Sequence, residues 1–216
     1  VALALALLVL AALAAALVRE AKRRADKVVA SVFVNPTQFG PNEDFAHYPR
    51  DTETDLRLLA EAGADAAWTP EVATMYPPGF STSVRVSGLT EGLCGAFRPG
   101  HFEGVATVVV KLINQVRPHA ALFGEKDYQQ LQVIRRAARD LDLDVAIEGM
   151  PTRRETDGLA LSSRNRYLSP AERAIAPRLY AVLARIADAA GRGEAAAPLL
   201  DRGRAELEAA GFGPVQ

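Results

Sequence analysis

The sequence predicts an α/β protein built on a doubly wound parallel sheet. Two runs carry most of that reading. Val28-Val29-Ala30-Ser31-Val32-Phe33-Val34 is β-branched and nearly continuous, the pattern of a strand covered on both faces. Ala120-Ala121-Leu122-Phe123 is a second apolar run. Behind it Leu131, Ile134, Ala138 and Leu141 recur at three- and four-residue spacing, the period of a helix. Strand-like and helix-like stretches alternate elsewhere, which favours parallel pairing through crossover helices.

The chain opens on residues 1–18, which contain only Ala, Leu and Val. Such a run suits a marginal membrane span or a signal-peptide core, although no basic residue precedes it. The reading adopted is a buried parallel strand over Val1-Ala2-Leu3-Ala4, followed by a helix from Leu10 through Arg19-Glu20-Ala21-Lys22-Arg23-Arg24 to about Ala25. A low-complexity stretch foreign to the natural protein is the third possibility. The strand at 28–34 ends in Asn35-Pro36-Thr37-Gln38-Phe39-Gly40-Pro41-Asn42, a turn-rich loop. Residues 51–62 read as a helix with Asp51 or Thr52 as cap, an apolar face at Leu56, Leu59 and Ala60, and Gly63 as stop. Residues 64–68 form a short strand and residues 75–80 a loop. Ser83-Val84-Arg85-Val86 alternates like an edge strand. Residues 93–104 are a glycine-rich polar loop, residues 105–114 a helix with Val109, Leu112 and Ile113 inward, and residues 145–147 a strand. Ser169 caps a further helix with Pro170 at its first position; it runs to about Ala189 and Gly191 ends it. Residues 195–210 make the last helix. Beyond about residue 169 the composition turns Ala- and Arg-rich and poor in β-formers. A domain boundary is therefore expected between 150 and 170, and we divide the chain into 1–155 and 156–216.

At 216 residues the chain suits one sizeable domain with a small second unit. Its 25 basic and 26 acidic residues give no support to a nucleic-acid surface. Cys94 is the single cysteine, so an internal disulfide is excluded and a reducing, cytoplasmic setting is expected. His47, His101 and His119 form no metal-ligand spacing, and no metal held by protein side chains is expected.

The chemistry concentrates in four stretches. Gly124, Glu125, Lys126 and Asp127 stand between a strand and a helix, where helix N–H groups and open strand ends meet a ligand. Lys126 there offers a point charge for phosphate, and Asp127 caps the helix or accepts from a ribose or an amine. An ordinary capped helix start accounts for the same four residues. Asp157-Gly158-Leu159-Ala160-Leu161-Ser162-Ser163-Arg164-Asn165 sets two hydroxyls and a guanidinium beside a glycine turn, a phosphate-binding set that is also compatible with a solvated loop. Asn35 and Gln38 lie just past a strand end, suited to a small polar ligand or to a plain Asn-Pro turn. Arg98 and His101 face either a ligand or solvent.

Taken together, Phe33 to Phe39, Arg98-Pro99-Gly100-His101-Phe102, Phe123 to Gln130 and Asp157 to Asn165 closely resemble the pantoate–β-alanine ligase family. The four motifs occur in one order, and the resemblance runs from about Leu17 to the last residue. It implies a Rossmann-like nucleotidyltransferase fold with a small C-terminal α+β domain, cut short here. It implies a ligase that joins pantoate to β-alanine: ATP, with Mg²⁺ on its phosphates, converts pantoate to an adenylate, and the β-alanine amine then displaces AMP. Such chemistry needs positioning and charge stabilisation more than a protein nucleophile. Carried over by motif, Gln38, Gln130 and Asn35 bind pantoate or β-alanine. Gly124, Glu125, Lys126, Asp127, Arg153, Leu161, Ser162, Ser163 and Arg164 contact ATP, with Lys126 and Arg164 stabilising charge. The two ATP loops are expected to face each other across one cleft with Gln38 and Gln130 at its floor. Arg98 and His101 receive no role. A homodimer is implied, with small-molecule partners only and no nucleic acid or membrane.

The chain departs from the family at its start. The family's His-x-Gly-His motif, at a helix N-terminus, falls on Ala11-Ala12-Leu13-Ala14, and its preceding turn on Leu5, Ala6, Leu7 and Leu8. Each lost donor of this kind costs ~2.7–4 kcal/mol of transition-state stabilisation. Impaired catalysis is therefore expected. The alternative is a non-catalytic nucleotide- or pantoate-binding remnant, anchored to a membrane in one version by residues 1–18. A different adenylate-forming enzyme on the same fold fits least, because the motifs at 35–39 and 98–102 match the ligase specifically.

Overall fold

A computed structural model describes residues 2–8, 11–41, 43–48, 50–213 and 215, with the side chains of 6–8 and 11–14 outside the description. The chain divides into two compact units, Val1–Thr152 and Arg153–Gln216.

The first unit is a five-stranded parallel sheet in the order β3-β2-β1-β4-β5. Its strands are β1 (Leu3–Leu8), β2 (Lys27–Val32), β3 (Ala66–Trp68), β4 (Ala120–Gly124) and β5 (Ala146–Met150). Its longer helices are α1 (Ala11–Arg24), α2 (Thr52–Glu61), α5 (His101–Val116) and α6 (Tyr128–Asp140); the short α3 (Val72–Met75) and α4 (Cys94–Phe97) lie between α2 and α5. Alternation along the strands builds two cores. Ala4, Val28, Ala30 and Leu122 point to one face and pack with Leu17, Val18 and Ala21 of α1 and Leu59 of α2. Leu5, Ala121 and Phe123 point to the other, against Val105, Val108, Val109 and Leu112 of α5 and Leu131 and Ile134 of α6. Helices on both faces of a parallel sheet explain the uninterrupted apolar runs, and the architecture is the Rossmann-like, doubly wound one.

β1 is the middle strand. It pairs with β2 from Leu3↔Lys27 to Leu8↔Val32 and with β4 at Ala4, Leu5 and Ala6. The expected strand over residues 1–4 is therefore corrected: β1 starts two residues later and takes in residues 5–8, which were expected to turn. Ala, Leu and Val supply no turn residue to stop a strand whose neighbours offer a full ladder. Val1 itself, and Leu10 as the expected helix start, lie outside the described residues. A membrane anchor over residues 1–18 is corrected as well. Leu3–Leu8 is the centre of the sheet, and among the described residues no helix is long and apolar enough to cross a membrane.

Two further expectations change. Ser83 to Val86 joins no strand; the Val84 N–H donates to Thr107 Oγ1 at 2.9 Å and Val86 packs with Phe102, Ala106, Val133 and Ala137. Its alternation serves a groove between helices, not a sheet edge. Residues 93–104 are not an open loop, since α4 occupies the start and His101 already opens α5.

In the second unit an antiparallel bridge joins Arg154 and Ala160, and after the single-turn helix Ser163–Tyr167 come α7 (Pro170–Ile175), α8 (Arg178–Gly191) and α9 (Ala196–Ala209). Ser169 caps α7 as expected, and Glu172 returns the bond to complete a reciprocal cap. Instead of one helix to Ala189 there are two, because Pro177 lacks the N–H that would continue α7 and opens α8.

Candidate active site at the carboxyl edge of the sheet

The winding of the sheet reverses between β1 and β4, and in open parallel sheets ligands bind beyond the carboxyl ends of the strands at such a reversal. β4 delivers the turn bearing Lys126 to this place. Gly124 closes the strand, Glu125–Asp127 makes one tight helical turn, and α6 begins at Tyr128. Asp127 stands at the cap position of α6 without capping it. Its carboxylate lies 3.5 Å from the Lys126 ammonium. Such exposed pairs are weak, so a phosphate competes readily for the ammonium. Gln130, half-buried, follows in the first turn of α6.

β2, on the other side of β1, delivers Asn35 and Gln38. Residues Pro36–Gln38 form a single turn with Asn35 as cap. Asn35 is buried, and its amide is taken up within the protein. Nδ2 donates to Gly104 O at 3.2 Å and, at 3.4 Å, to Gln38 Oε1. Oδ1 accepts from Tyr76 Oη at 2.7 Å and Thr37 Oγ1 at 3.1 Å. Burial pushes the Tyr76 phenol up, which keeps it protonated as a donor. Asn35 thus acts as a holder of the loop. Gly104 brings α5 against the same loop: a Cβ there would stand 2.4 Å from Thr37 O and 2.9 Å from Gln38 N.

Arg98 and His101, without a role from sequence, belong to this loop. Arg98 forms a forked pair with Glu43, and its Nη1 contacts His101 Nε2 at 3.1 Å. His101 Nδ1 meets Gln38 O at 2.7 Å. The arginine holds the Glu43 carboxyl below its usual range, and burial draws the His101 imidazole below 6.5. Sequence reasoning missed Glu43 and Tyr76, which lie five and 38 residues from Gln38 yet fix its loop. Gln129 was also missed. It ties the segment at 89–94 to α6, donating to Leu89 O and Gly92 O and accepting from Cys94 N–H.

The second unit holds its own phosphate-type loop. Arg173 grips Asp157 and Glu155 through separate nitrogens at 2.6 and 2.7 Å, fixing the turn that precedes it. Gly158, at φ +94°, lies under the Tyr180 ring, where a Cβ would come within 2.9 Å. Leu161 N–H donates to Arg153 O, and Ser162 Oγ accepts from Arg164 N–H to cap the short helix Ser163–Tyr167. Ser163 is buried and Arg164 exposed. Among the described residues no group of three His, Cys, Asp or Glu is placed to hold a metal ion.

Residues 12–215 match the family description "Pantoate-beta-alanine ligase". The pantothenate synthetase of Acidiphilium cryptum is 64% identical over 196 residues, 91% of this chain and 70% of that protein. That of Rhodospirillum rubrum is 61% identical over 200 residues, 92% and 71%. The pantothenate synthetase structure from Thermus thermophilus superposes with a TM-score of 0.92 at 52% identity, covering 97% of this chain and 77% of that one. The Francisella tularensis pantoate-beta-alanine ligase, complexed with β,γ-ATP and β-alanine, superposes at 0.85 with 32% identity, covering 97% and 78%. With the fold, the strand-end turn and nearly the whole length in agreement, the chain belongs to the pantoate–β-alanine ligase family and is an acid–amine ligase that uses ATP to form a C–N bond.

Proposed function

We propose that the chain condenses pantoate with β-alanine through a pantoyl adenylate. The observation that carries this is the common edge: the Lys126 turn and the Gln38 loop leave the carboxyl ends of β4 and β2, the two neighbours of β1. A pantoate carboxylate oxygen attacks the α-phosphorus of ATP, a P–O bond forms, and pyrophosphate leaves with the old one. The β-alanine amine then bonds to the acyl carbon and AMP departs. Gln38 and Gln130 orient pantoate or β-alanine, with Asn35 holding Gln38. The ATP contacts carried over from the family motifs are Gly124, Glu125, Lys126, Asp127, Arg153, Leu161, Ser162, Ser163 and Arg164. Lys126 and Arg164 meet the charge that develops on the phosphates. Mg²⁺ fits as an ion carried by those phosphates, since a small hard cation of this kind is usually held by substrate phosphates and water in place of an all-protein cage. A cytoplasmic homodimer belongs to the same proposal. The exposed lone thiol of Cys94 supports a reducing compartment, and the family resemblance supports the dimer.

Ala11 and Ala14 stand in the first turn of α1, directly behind the middle strand, where an alanine adds no side-chain donor to the main-chain N–H groups. This supports slow adenylate formation, at least about 10⁴-fold below a chain with both imidazoles. In the second reading, which the same two alanines favour, the chain binds nucleotide and pantoate without turnover. Pantoate-dependent exchange of pyrophosphate into ATP separates the two. The proposal expects slow exchange by the chain and a rise of orders of magnitude in the triple variant Ala11→His, Leu13→Gly, Ala14→His. No exchange by either protein, with pantoate still bound, establishes the remnant.

A further inference from the structure

Gln38 is held from two sides, and the two holders differ in kind. Below it, Asn35, Tyr76 and Gly104 seat the loop on α5. Beside it, a chain of charged and polar groups reaches its main-chain carbonyl: Glu43 to Arg98, Arg98 to His101, His101 to Gln38 O. The second chain fixes a protonation state. A carbonyl oxygen only accepts, so His101 Nδ1 must carry a proton. A guanidinium only donates, so Nε2 must present its lone pair to Arg98. A doubly protonated ring would set N–H against N–H at 3.1 Å. Burial acts in the same direction by disfavouring the charged imidazole. Arg98 Nη2 adds a longer contact of 3.4 Å to the same carbonyl, and Glu43 immobilises the guanidinium fork.

We propose that His101, locked as its neutral Nδ1–H tautomer by Arg98 and Glu43, is a positioning residue that sets Gln38 for pantoate and β-alanine without acting on the nucleotide turn. The inference rests on the reading of Gln38 as an acid- or amine-substrate ligand. Its selectivity follows from hydrogen-bond connectivity: His101 bonds directly to β2's loop, whereas Asp127 of the Lys126 turn reaches the ring only through charge and Arg98 touches α6 only indirectly, by a 3.9 Å contact to Cys94, whose N–H donates to Gln129.

Two measurements test it. In the first, nitrogen-15 NMR of the imidazoles in the intact chain at about pH 7.5 reads the tautomer directly. The proposal expects His101 with protonated Nδ1 and bare Nε2; an Nε2–H tautomer or an imidazolium overturns it. In the second, calorimetry gives the affinities for pantoate and for ATP in the chain and its variants. His101→Ala should weaken pantoate by roughly 10- to 100-fold, the scale of a displacement near 1 Å, with ATP affinity kept within about twofold. His101→Asn, whose amide nitrogen takes the place of Nδ1, should recover most of the loss. Unchanged pantoate affinity in His101→Ala, equal loss of pantoate and ATP, or no rescue by asparagine overturns the proposal. If His101→Ala does not fold, Arg98→Lys is read by the same two affinities. A parent chain that fails to bind pantoate overturns the reading of Gln38 instead, and the tautomer still judges the clamp.

Discussion

Replacing Gly104 by alanine sets two opposing effects against each other. Gly104 lies within the first turns of α5, where alanine is worth up to about 1 kcal/mol over glycine in helix propensity. Its added Cβ, however, would stand 2.4 Å from Thr37 O, 2.6 Å from Thr37 C and 2.9 Å from Gln38 N. All three are backbone atoms, so no rotamer change relieves the contact. Reaching an ordinary separation of about 3.4 Å takes roughly 1 Å of retreat by the loop. Overpacking of this kind costs ~1–3 kcal/mol, which offsets the propensity gain and leaves stability between little changed and about 2 kcal/mol lower. The retreat also stretches the Asn35 Nδ2 bond to Gly104 O and the His101 bond to Gln38 O. Gln38 moves by a distance that in enzyme sites costs up to ~10²-fold. The assay is denaturant unfolding alongside calorimetric pantoate binding on the same preparations. Gly104→Ala should bind pantoate at least tenfold more weakly while ATP affinity holds. A variant that is more stable than the parent and binds pantoate equally would refute the reasoning, because the loop would then have no need of the close approach.

Three more outcomes are expected. Leu5 is fully buried at the centre of the sheet, so Leu5→Ala should cost ~2–5 kcal/mol in denaturant unfolding; a loss below about 0.5 kcal/mol would remove β1 from the core. Asp65 accepts from the Lys22 ammonium, the Val28 N–H and the Lys27 ammonium, and these hold its carboxyl well below 3.8. Because the folded value is depressed, its stabilisation is complete above about pH 4 and fades as pH falls below that; melting curves of Asp65→Asn and the parent should differ by a constant amount at about pH 5–8 and converge in acid. Lys126→Ala should weaken ATP by about tenfold or more, as loss of a charge-assisted bond worth ~1.5–3 kcal/mol requires, with pantoate affinity unaffected in the absence of nucleotide.

The strand-to-helix turn at Lys126 was legible because its signals are local: an apolar run, a glycine, then a 3.6-residue period. The cap at Ser169 was legible for the same reason. The start of the chain was not, since residues 1–18 offer three residue types and no punctuation, and β1 took its register from β2 and β4 instead of from its own composition. The segment at 98–104 misled in the other direction. Pro99, Gly100 and Gly104 read as loop formers, yet Gly104 is helical and is glycine for the sake of a neighbouring backbone. The holding role of Asn35 depends on Tyr76 and Gly104, 41 and 69 residues away. No pattern within one stretch of sequence reports contacts at that separation.

The order of product release tests the central claim most directly. The chain is incubated at high concentration with ATP, Mg²⁺ and pantoate, and the nucleotides and pyrophosphate are resolved by chromatography before and after β-alanine is added. The adenylate account predicts pyrophosphate without free AMP up to about one equivalent per chain, then AMP and pantothenate together once β-alanine arrives. ADP and inorganic phosphate in place of AMP and pyrophosphate, or AMP released by β-alanine when pantoate is omitted, would contradict it.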